Sequence, residues 1–258
     1  MGRLATISRR SFLIGSTAIA GGVAFGVYRY RGTGPNPLLA ELEPGRAAIT
    51  PYVRIDAEGV TLITPRADKG QGAYSVQAAL LAEELDVELD QVRVDPGPPS
   101  AEYWNTALAE EAAQFLLPGG GFAEKIAAGT LSAVMKFIGM QITGGSTTVP
   151  DGFLKLREAG AVARETLKLA ASRRTGQPLD ALRTAEGRVM LPDGSSLTYT
   201  ELAAEAGAIE PVRAVTLRPP SQWRLIGKPM RRLDIVSKST GTHHYGIDAR
   251  AEGMVHGT

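Results

Sequence analysis

Two short glycine-containing loops carry the residue types that could bind a ligand. They are residues 70–72 (Gly-Gln-Gly) and residues 143–148 (Thr-Gly-Gly-Ser-Thr-Thr). Glycine allows a tight turn and a close approach of the backbone to a ligand, and the amide and hydroxyl side chains can hydrogen-bond to it. Each loop precedes a predicted helix, whose first N–H groups suit an anion such as a phosphate. If the loops face each other, they could hold a phosphorylated organic cofactor between them.

Neither loop matches a common phosphate-binding motif. No lysine follows the glycines as it does in a Walker A loop, and neither loop has the Gly-x-Gly-x-x-Gly spacing of dinucleotide-binding folds. The alternative is that residues 143–148 form only a flexible polar loop that caps a helix. A triple glycine at residues 119–121 is more typical of a hinge or a helix break than of a ligand site.

The composition excludes several kinds of chemistry. The 258 residues include no cysteine, which excludes disulfides, thiolate zinc sites, a cysteine nucleophile and an iron–sulfur cluster held by this chain. Three histidines lie near the C-terminus, and His243 and His244 would point to opposite faces of a strand. No metal site is therefore expected. A net charge of +1 gives no basis for nucleic-acid binding.

The N-terminus indicates an export signal rather than part of the fold. In residues 1–31 the pair Arg9-Arg10 is followed by a glycine-rich apolar run. This pattern is similar to a twin-arginine signal, and it predicts a periplasmic protein that folds before export, often around a cofactor. The apolar run could also remain as a membrane anchor. Residues 32–47 contain three prolines and predict a linker.

Hydrophobic patterning after the linker predicts a mixed α/β fold. Alternating polar and apolar residues predict strands, and apolar residues at helical spacing predict the helices between them. The predicted strands are residues 52–55, 60–63, 92–94, 187–191, 196–199 and 244–248, and the predicted shorter helices are residues 73–85, 106–117, 123–138 and 200–205. In this arrangement residues 70–72 connect a strand to a helix.

One long helix follows the second glycine loop. Pro150 and Asp151 predict its start, and Gly176 predicts its end near residue 174. Apolar residues recur along one face of this helix. Its charged residues, Arg157 and Arg164 among them, are expected to form a solvated face.

Several segments follow one another in an order typical of a known family. They are residues 69–72, 79–87, 92–94, 143–148, 156–164, 224–229, 233–234, 238–241, 245–248 and 253–254. Together they resemble the molybdenum-cofactor-binding subunits of the xanthine dehydrogenase/aldehyde oxidase family. Both glycine loops precede a segment similar to the start of an α/β hammerhead domain, an order that resembles the branch of the isoquinoline 1-oxidoreductase beta subunit. The resemblance predicts a cofactor-binding segment at residues 48–218 and the start of the hammerhead domain at residues 219–258.

The resemblance implies a subunit of an exported molybdenum hydroxylase that carries molybdopterin cytosine dinucleotide. Such enzymes oxidise an N-heterocycle or an aldehyde with water. They pass electrons to an iron–sulfur (2Fe-2S) small subunit and, as a further partner, to a cytochrome c. By position, the residues implied to contact the cofactor are Gly70, Gln71, Gly72, Gly144, Gly145, Ser146 and Thr147, with Gln141 as an additional candidate.

The sequence also departs from the family pattern. The family's general base is a Glu in a Gly-Glu-Pro-type motif that does not occur in these 258 residues, so no catalytic residue is assigned. The base is expected beyond residue 258, in a longer protein of which this chain holds part of the cofactor cradle. Asp68 and Lys69 stand where an acidic–apolar pair is more usual. The alternative is a non-catalytic exported module that binds a phosphorylated ligand or a partner protein.

Overall fold

The computed structural model describes residues 34–40, 42–43, 45–116, 119 and 121–255. The predicted export signal at residues 1–31 lies outside these residues. The described strands are β1 (Ala47–Thr50), β2 (Val53–Asp56), β3 (Gly59–Ile63), β4 (Val92–Asp95), β5 (Arg183–Ala185), β6 (Arg188–Met190) and β7 (Ser196–Thr198). The described α-helices are α1 (Ala73–Leu85), α2 (Thr106–Leu116), α3 (Phe122–Phe137), α4 (Thr148–Thr175), α5 (Ala203–Gly207) and α6 (Ile235–Thr240).

The first sheet has the strand order β1-β2-β3-β4. Strands β1 to β3 are antiparallel, whereas β3 and β4 are parallel and are joined through α1. Parallel neighbours need such a crossover connection, usually a helix. The predicted mixed α/β class is confirmed, and β2, β3 and β4 lie within one residue of their predicted bounds. Strand β1 was not predicted, because its four residues directly follow the proline-rich segment.

The second sheet has the order β5-β6-β7 and is antiparallel throughout. Strands β6 and β7 confirm the predicted hairpin, while β5 was not predicted. Glu186 and Gly187 connect β5 to β6 with φ angles of 49° and 71°. Positive φ at both central residues is the geometry that matches the twist of a two-residue hairpin.

Helices α1 and α4 pack against each other and form the centre of the core. Their buried leucines, Leu81, Leu85 and Leu167, contact the apolar face of the first sheet in one cluster. The two backbones approach closely at Gly160, where an added Cβ would lie 2.5 Å from the carbonyl oxygen of Leu81. Because α1 follows the first glycine loop and α4 follows the second, this packing fixes the positions of both loops.

The ends of α4 show how the sequence defines it. The helix begins at Thr148, three residues before the predicted start at Asp151. Pro150 lies in the first turn, where a backbone N–H would have no carbonyl acceptor within the helix, so its lack of an N–H costs no hydrogen bond. The last helical residue is Thr175, and the cap residue Gly176 takes a left-handed φ of 72° and donates its N–H to the carbonyl oxygen of Ser172.

The expectation that Arg157 and Arg164 form a solvated face is wrong. Both side chains are buried and point to Glu84 of α1, which is itself fully buried. Arg157 donates to Glu84 Oε1 from Nε at 3.0 Å and from Nη2 at 2.6 Å. Arg164 Nη1 lies 3.3 Å from Glu84 Oε2 and donates to the Glu84 carbonyl oxygen at 2.6 Å. A buried charge needs a partner of opposite charge, and for both arginines of α4 that partner is Glu84 on α1.

Residues 218–226, which we call the strap, pack against both α1 and α4. The buried carboxylate of Glu83 accepts backbone N–H groups from Arg224, Leu225 and Ile226 at 2.6–3.0 Å. The Trp223 ring packs edge-on against Phe153 of α4 at 6.1 Å. The prolines at 219 and 220 therefore belong to a segment that is held against the core. The predicted boundary between residues 218 and 219 stays a prediction.

Among the remaining elements, one pair of helices is confirmed and one predicted strand is wrong. The helix predicted at residues 200–205 lies at Ala203–Gly207, and α6 was not predicted. Helices α2 and α3 confirm the two helices predicted at residues 106–117 and 123–138. The predicted strand at residues 244–248 is wrong, because Gly246–Asp248 form a 3₁₀ helix. Its start is closed by the Asp248 carboxylate, which accepts the Tyr245 N–H at 2.9 Å. Local capping thus replaces strand pairing at this position.

Candidate functional site

The two glycine loops face each other, which is the condition under which they could hold one ligand between them. Ala67, which precedes the first loop, donates its N–H to the hydroxyl of Thr143 in the second loop at 2.9 Å, across 76 positions of sequence. Between the loops lies a cleft of about 340 Å³, at the adjacent N-termini of α1 and α4. The cleft is lined by Lys69, Gln71, Ala73, Val76, Thr143, Gly144, Ser146, Thr148 and Val149.

The first loop is closed by its own carboxylate. Asp68 accepts the N–H of Gly70 at 2.7 Å and that of Tyr74, in the first turn of α1, at 2.9 Å. Burial alone would raise the pKa of Asp68, but these N–H groups and the nearby Arg232 guanidinium outweigh burial and hold the pKa below its ordinary value. The anion position at the start of α1 is therefore already filled by the chain itself.

Gln71 lines the cleft, but both polar atoms of its side chain are hydrogen-bonded to the backbone of the first loop and the residues before it. Its Oε1 accepts the N–H of Lys69 at 2.6 Å, and its Nε2 donates to the carbonyl oxygen of Ala67 at 3.0 Å. The flanking Gly70 and Gly72 take φ angles of 107° and 86°, which few other residues adopt. Gln71 therefore holds the shape of the loop.

The second loop turns through two consecutive left-handed residues. Gly145 has φ 58° and Ser146 has φ 56°, a conformation that costs a non-glycine residue roughly 1 kcal/mol. The carboxylate of Glu111 from α2 lies against Gly145, so a Cβ there would require this exposed, flexible side chain to move. Ser146 itself lines the cleft. The strained backbone conformation therefore occurs at a residue of the candidate site.

Thr147 supports this loop from behind. It is only 4 % exposed, its hydroxyl donates to the Gly144 carbonyl oxygen at 2.7 Å, and that hydroxyl accepts Asn105 Nδ2 at 2.8 Å. Its backbone N–H also donates to Gly144 at 3.1 Å. Thr147 therefore holds the turn, and it does not line the cleft.

The predicted site residues separate into two groups. Gln71, Gly144 and Ser146 line the cleft. The predicted residues that do not line it are Gly70, Gly72, Gln141, Gly145 and Thr147. Four of these shape the two loops, and Gln141 is an exposed residue ahead of the second loop. Lys69 and Thr148 line the cleft although neither was among the predicted residues.

A buried ion network under the cleft was also not predicted. Asp151, in the first turn of α4, accepts Arg66 at 2.5 Å and Lys155 at 2.6 Å. The same carboxylate accepts the N–H of Thr106 at 2.8 Å, and Arg66 donates to the carbonyl oxygen of Trp104 at 3.0 Å. Because Arg66 directly precedes Ala67, the network ties the first loop to the start of α4. The spacing of four between Asp151 and Lys155 was the available sequence signal.

Burial affects the two ends of this network differently. Burial alone would raise the pKa of Asp151, but Lys155 and Arg66 outweigh it and hold the pKa below its ordinary value. Burial lowers the pKa of Lys155, only partly opposed by Asp151. Asp151 is therefore charged at neutral pH and holds both cations.

The cleft is suited to binding an oxyanion. It combines the Lys69 ammonium, the hydroxyls of Thr143, Ser146 and Thr148, and the start of α4. Within the described part of the chain, no group of three or more His, Asp or Glu residues could hold a metal ion. In the same part, no helix has the length and apolar character needed to span a membrane.

Comparison with known proteins supplies three relatives. The chain is 31 % identical over 288 residues to the beta subunit of isoquinoline 1-oxidoreductase from Brevundimonas diminuta, with 97 % of this chain and 33 % of the relative covered. It is 27 % identical to the membrane-bound aldehyde dehydrogenase [pyrroloquinoline-quinone] of Gluconacetobacter polyoxogenes, with 98 % and 29 % covered. It is 29 % identical to a subunit of the nicotinate dehydrogenase of Pseudomonas putida, with 80 % and 15 % covered.

These matches confirm the family resemblance drawn from the order of the sequence segments. The chain spans a third or less of the length of each of these three relatives. No protein-family model matches the chain.

Proposed function

Because the chain belongs to the family of the isoquinoline 1-oxidoreductase beta subunit, we propose that it forms part of the cofactor cradle of a molybdenum hydroxylase. The cofactor would be molybdopterin cytosine dinucleotide. The substrate class would be an N-heterocycle or an aldehyde, because the relatives are named for isoquinoline, nicotinate and aldehyde.

One observation carries the proposal. Two glycine loops that lie far apart in sequence meet at a single cleft, and each stands at the N-terminus of one of the two packed helices. A flexible polar loop would need neither the strained φ of Ser146 nor the buried support of Thr147 and Asn105. A fixed cradle for a ligand accounts for both.

The donors in the cleft fit the phosphate-bearing part of the cofactor. Lys69, Ser146 and Thr148 offer a cation and two hydroxyls, and the first turn of α4 adds backbone N–H groups. Asp68 fills the start of α1, so we assign the phosphate to the α4 side of the cleft. A volume of about 340 Å³ lies at the lower end of typical ligand pockets, which suits one part of a large cofactor.

The bound molybdenum cofactor would supply the oxidation of the substrate with water. The residues that line the cleft would hold the cofactor's phosphate, and the two glycine loops would orient it. The ion network around Asp151 would keep the two loops in place. The general base would come from a part of a longer protein outside these 258 residues.

A quinone is a second candidate for the cleft. One relative is named for pyrroloquinoline quinone, a tricarboxylate without phosphate. Its carboxylates could use the same lysine and hydroxyls as a phosphate. The two cofactors differ in metal content, which makes them simple to distinguish.

A non-catalytic exported module remains the alternative function. Such a module would bind a phosphorylated ligand in the same cleft or present a surface to a partner protein.

The proposed partners follow from the family resemblance. It implies that electrons would leave through a 2Fe-2S small subunit and then a cytochrome c, and these 258 residues offer no cysteine thiolate for a cluster. Two relatives are named as subunits, which supports a multi-subunit enzyme. The Arg9-Arg10 signal supports twin-arginine export to the periplasm, with the apolar run as a possible anchor.

Removal of the two cleft hydroxyls should reduce cofactor loading. A hydrogen bond to a charged group contributes roughly 1.5–3 kcal/mol, so the double variant Ser146→Ala/Thr148→Ala should bind the cofactor at least about tenfold more weakly. The measurement is molybdenum per chain in the folded protein. Ser195→Ala, an exposed hydroxyl on a distant turn, is the control. Unchanged molybdenum content in the double variant would rule out the assigned role.

A further inference from the structure

Arg232, in the segment that follows the strap, reaches back to the first glycine loop. Its Nη1 donates to the carbonyl oxygen of Gly70 at 2.8 Å, and its Nη2 lies 3.4 Å from the Asp68 carboxylate. The Asp68 carboxylate closes this loop, and Gly70 has one of the positive φ angles on which its turn depends. A side chain about 160 residues later in the sequence therefore holds the first loop from outside.

The residues next to Arg232 fix its side chain in place. The Asp234 carboxylate accepts Arg232 Nε at 3.0 Å and Nη2 at 2.9 Å, and it also accepts Lys238 Nζ at 2.5 Å. Two parallel hydrogen bonds from a guanidinium to a carboxylate fix the orientation of both groups. The N–H of Leu233 donates to the Ser75 hydroxyl, in the first turn of α1, at 2.9 Å. Residues 232–238, which we call the clamp, are thus attached to the helix that follows the first loop.

The clamp also balances the charge beside the cleft. Asp68 directly precedes Lys69, which lines the cleft. A carboxylate without a counter-charge at this position would repel a bound phosphate. The clamp places two cations, Arg232 and Lys238, against two carboxylates. The four groups together carry no net charge, so the positive charge of Lys69 is not opposed by an unpaired carboxylate beside it.

We propose that Arg232 is a positioning residue of the cofactor cleft. It acts through the first loop, because it holds the Gly70 carbonyl and the Asp68 carboxylate. These contacts set where Lys69 and Gln71 stand at the cleft, which Arg232 itself does not line. The inference rests on the proposed oxyanion site. It adds that this site depends on the clamp, which lies in the segment predicted to start a second domain.

Hydrogen exchange of the full chain without ligand measures the positioning directly. Arg232→Gln removes the charge and the forked hydrogen bonds. Residues 66–75 should then exchange about threefold faster, in line with the modest strength of a partly exposed ion pair. Arg231→Gln is the matched control, because this exposed arginine lies one position earlier, and it should leave the exchange unchanged. Equal acceleration in both variants, or none in either, would overturn the proposal.

Titration with inorganic pyrophosphate connects the loop to the cleft. Arg232→Gln should bind this probe about threefold more weakly than the unmodified chain. Arg232→Lys keeps the positive charge and should recover most of the affinity, although a single ammonium cannot reproduce the fork. A role in folding alone would lower the urea midpoint of Arg232→Gln and leave its affinity for pyrophosphate unchanged. That result would overturn the proposal.

The two measurements separate this inference from the proposed function. An unmodified chain that binds no pyrophosphate, with faster exchange in Arg232→Gln, would support the positioning of the loop and contradict the oxyanion site. Equal pyrophosphate binding by the unmodified chain and Arg232→Gln, with unchanged exchange, would support the oxyanion site and overturn the role of Arg232.

Discussion

Replacement of Asp151 by alanine is expected to lower the free energy of unfolding by about 3–5 kcal/mol, because it removes one partner from a buried ion network. Arg66 and Lys155 would each lose a hydrogen bond of 2.5–2.6 Å to the carboxylate. Arg66 is only 5 % exposed, so its guanidinium would be left buried without this carboxylate partner. Urea denaturation of both proteins measures the difference.

The same variant should also lose cofactor. Arg66 precedes Ala67, whose N–H joins the first loop to Thr143, and Asp151 lies in the first turn of α4. Without Asp151 the distance between the first loop and the start of α4 would no longer be fixed. Asp180→Asn is the control, because this acid is exposed and should change stability by no more than about 0.5 kcal/mol. An Asp151→Ala variant as stable as this control would contradict the role of the network.

Acidification should reduce the effect of Asp151→Ala. The pKa of Asp151 lies below its ordinary value in the folded protein. Its contribution to stability is therefore present above the pKa of the unfolded chain and is lost as the pH falls through the folded-state pKa. The difference between the two urea midpoints should be largest near neutral pH and should shrink in acid.

Replacement of Glu84 by glutamine should destabilise the fold by about the same amount, roughly 3–5 kcal/mol. The amide keeps the volume of the side chain but removes the charge that Arg157 and Arg164 share. The backbone N–H of Arg218 also donates to both carboxylate oxygens of Glu84, each at 3.2 Å. The variant would therefore weaken the attachment of the strap to α1. The urea midpoint should fall, and the strap should become accessible to protease.

Glu158 offers a matched control for Glu84. It is an exposed Glu one position after Arg157 on α4, so Glu158→Gln should change stability by no more than about 0.5 kcal/mol. If Glu84→Gln were no more destabilising than Glu158→Gln, the two buried arginines would not depend on Glu84 as described.

The elements that local pattern defines could be predicted from the sequence. Helix α1 has its predicted bounds because glycines precede it and its apolar spacing continues to Leu85. That each glycine loop precedes a helix was also predictable, but that the two loops meet depends on the packing of α1 against α4. Nothing in the local pattern opposed these predictions.

The features that were missed depend on partners far away in sequence. Arg157 resembles a surface residue of an amphipathic helix, and only Glu84, 73 positions earlier, makes it a buried one. Thr147 was a good candidate for ligand contact by type, yet Asn105 and Gly144 use its hydroxyl. Tertiary contacts therefore decided which side chains of each predicted element face the cleft.

Analysis of the ligand released from the folded protein tests the proposed cofactor cradle most directly. The protein would be isolated as the longer chain that contains these residues, from a host that makes the molybdenum cofactor, and metal analysis would be combined with mass spectrometry. The account predicts molybdenum together with a phosphorylated pterin, both reduced in Ser146→Ala/Thr148→Ala. Protein that carries no molybdenum, or a quinone in its place, would contradict it.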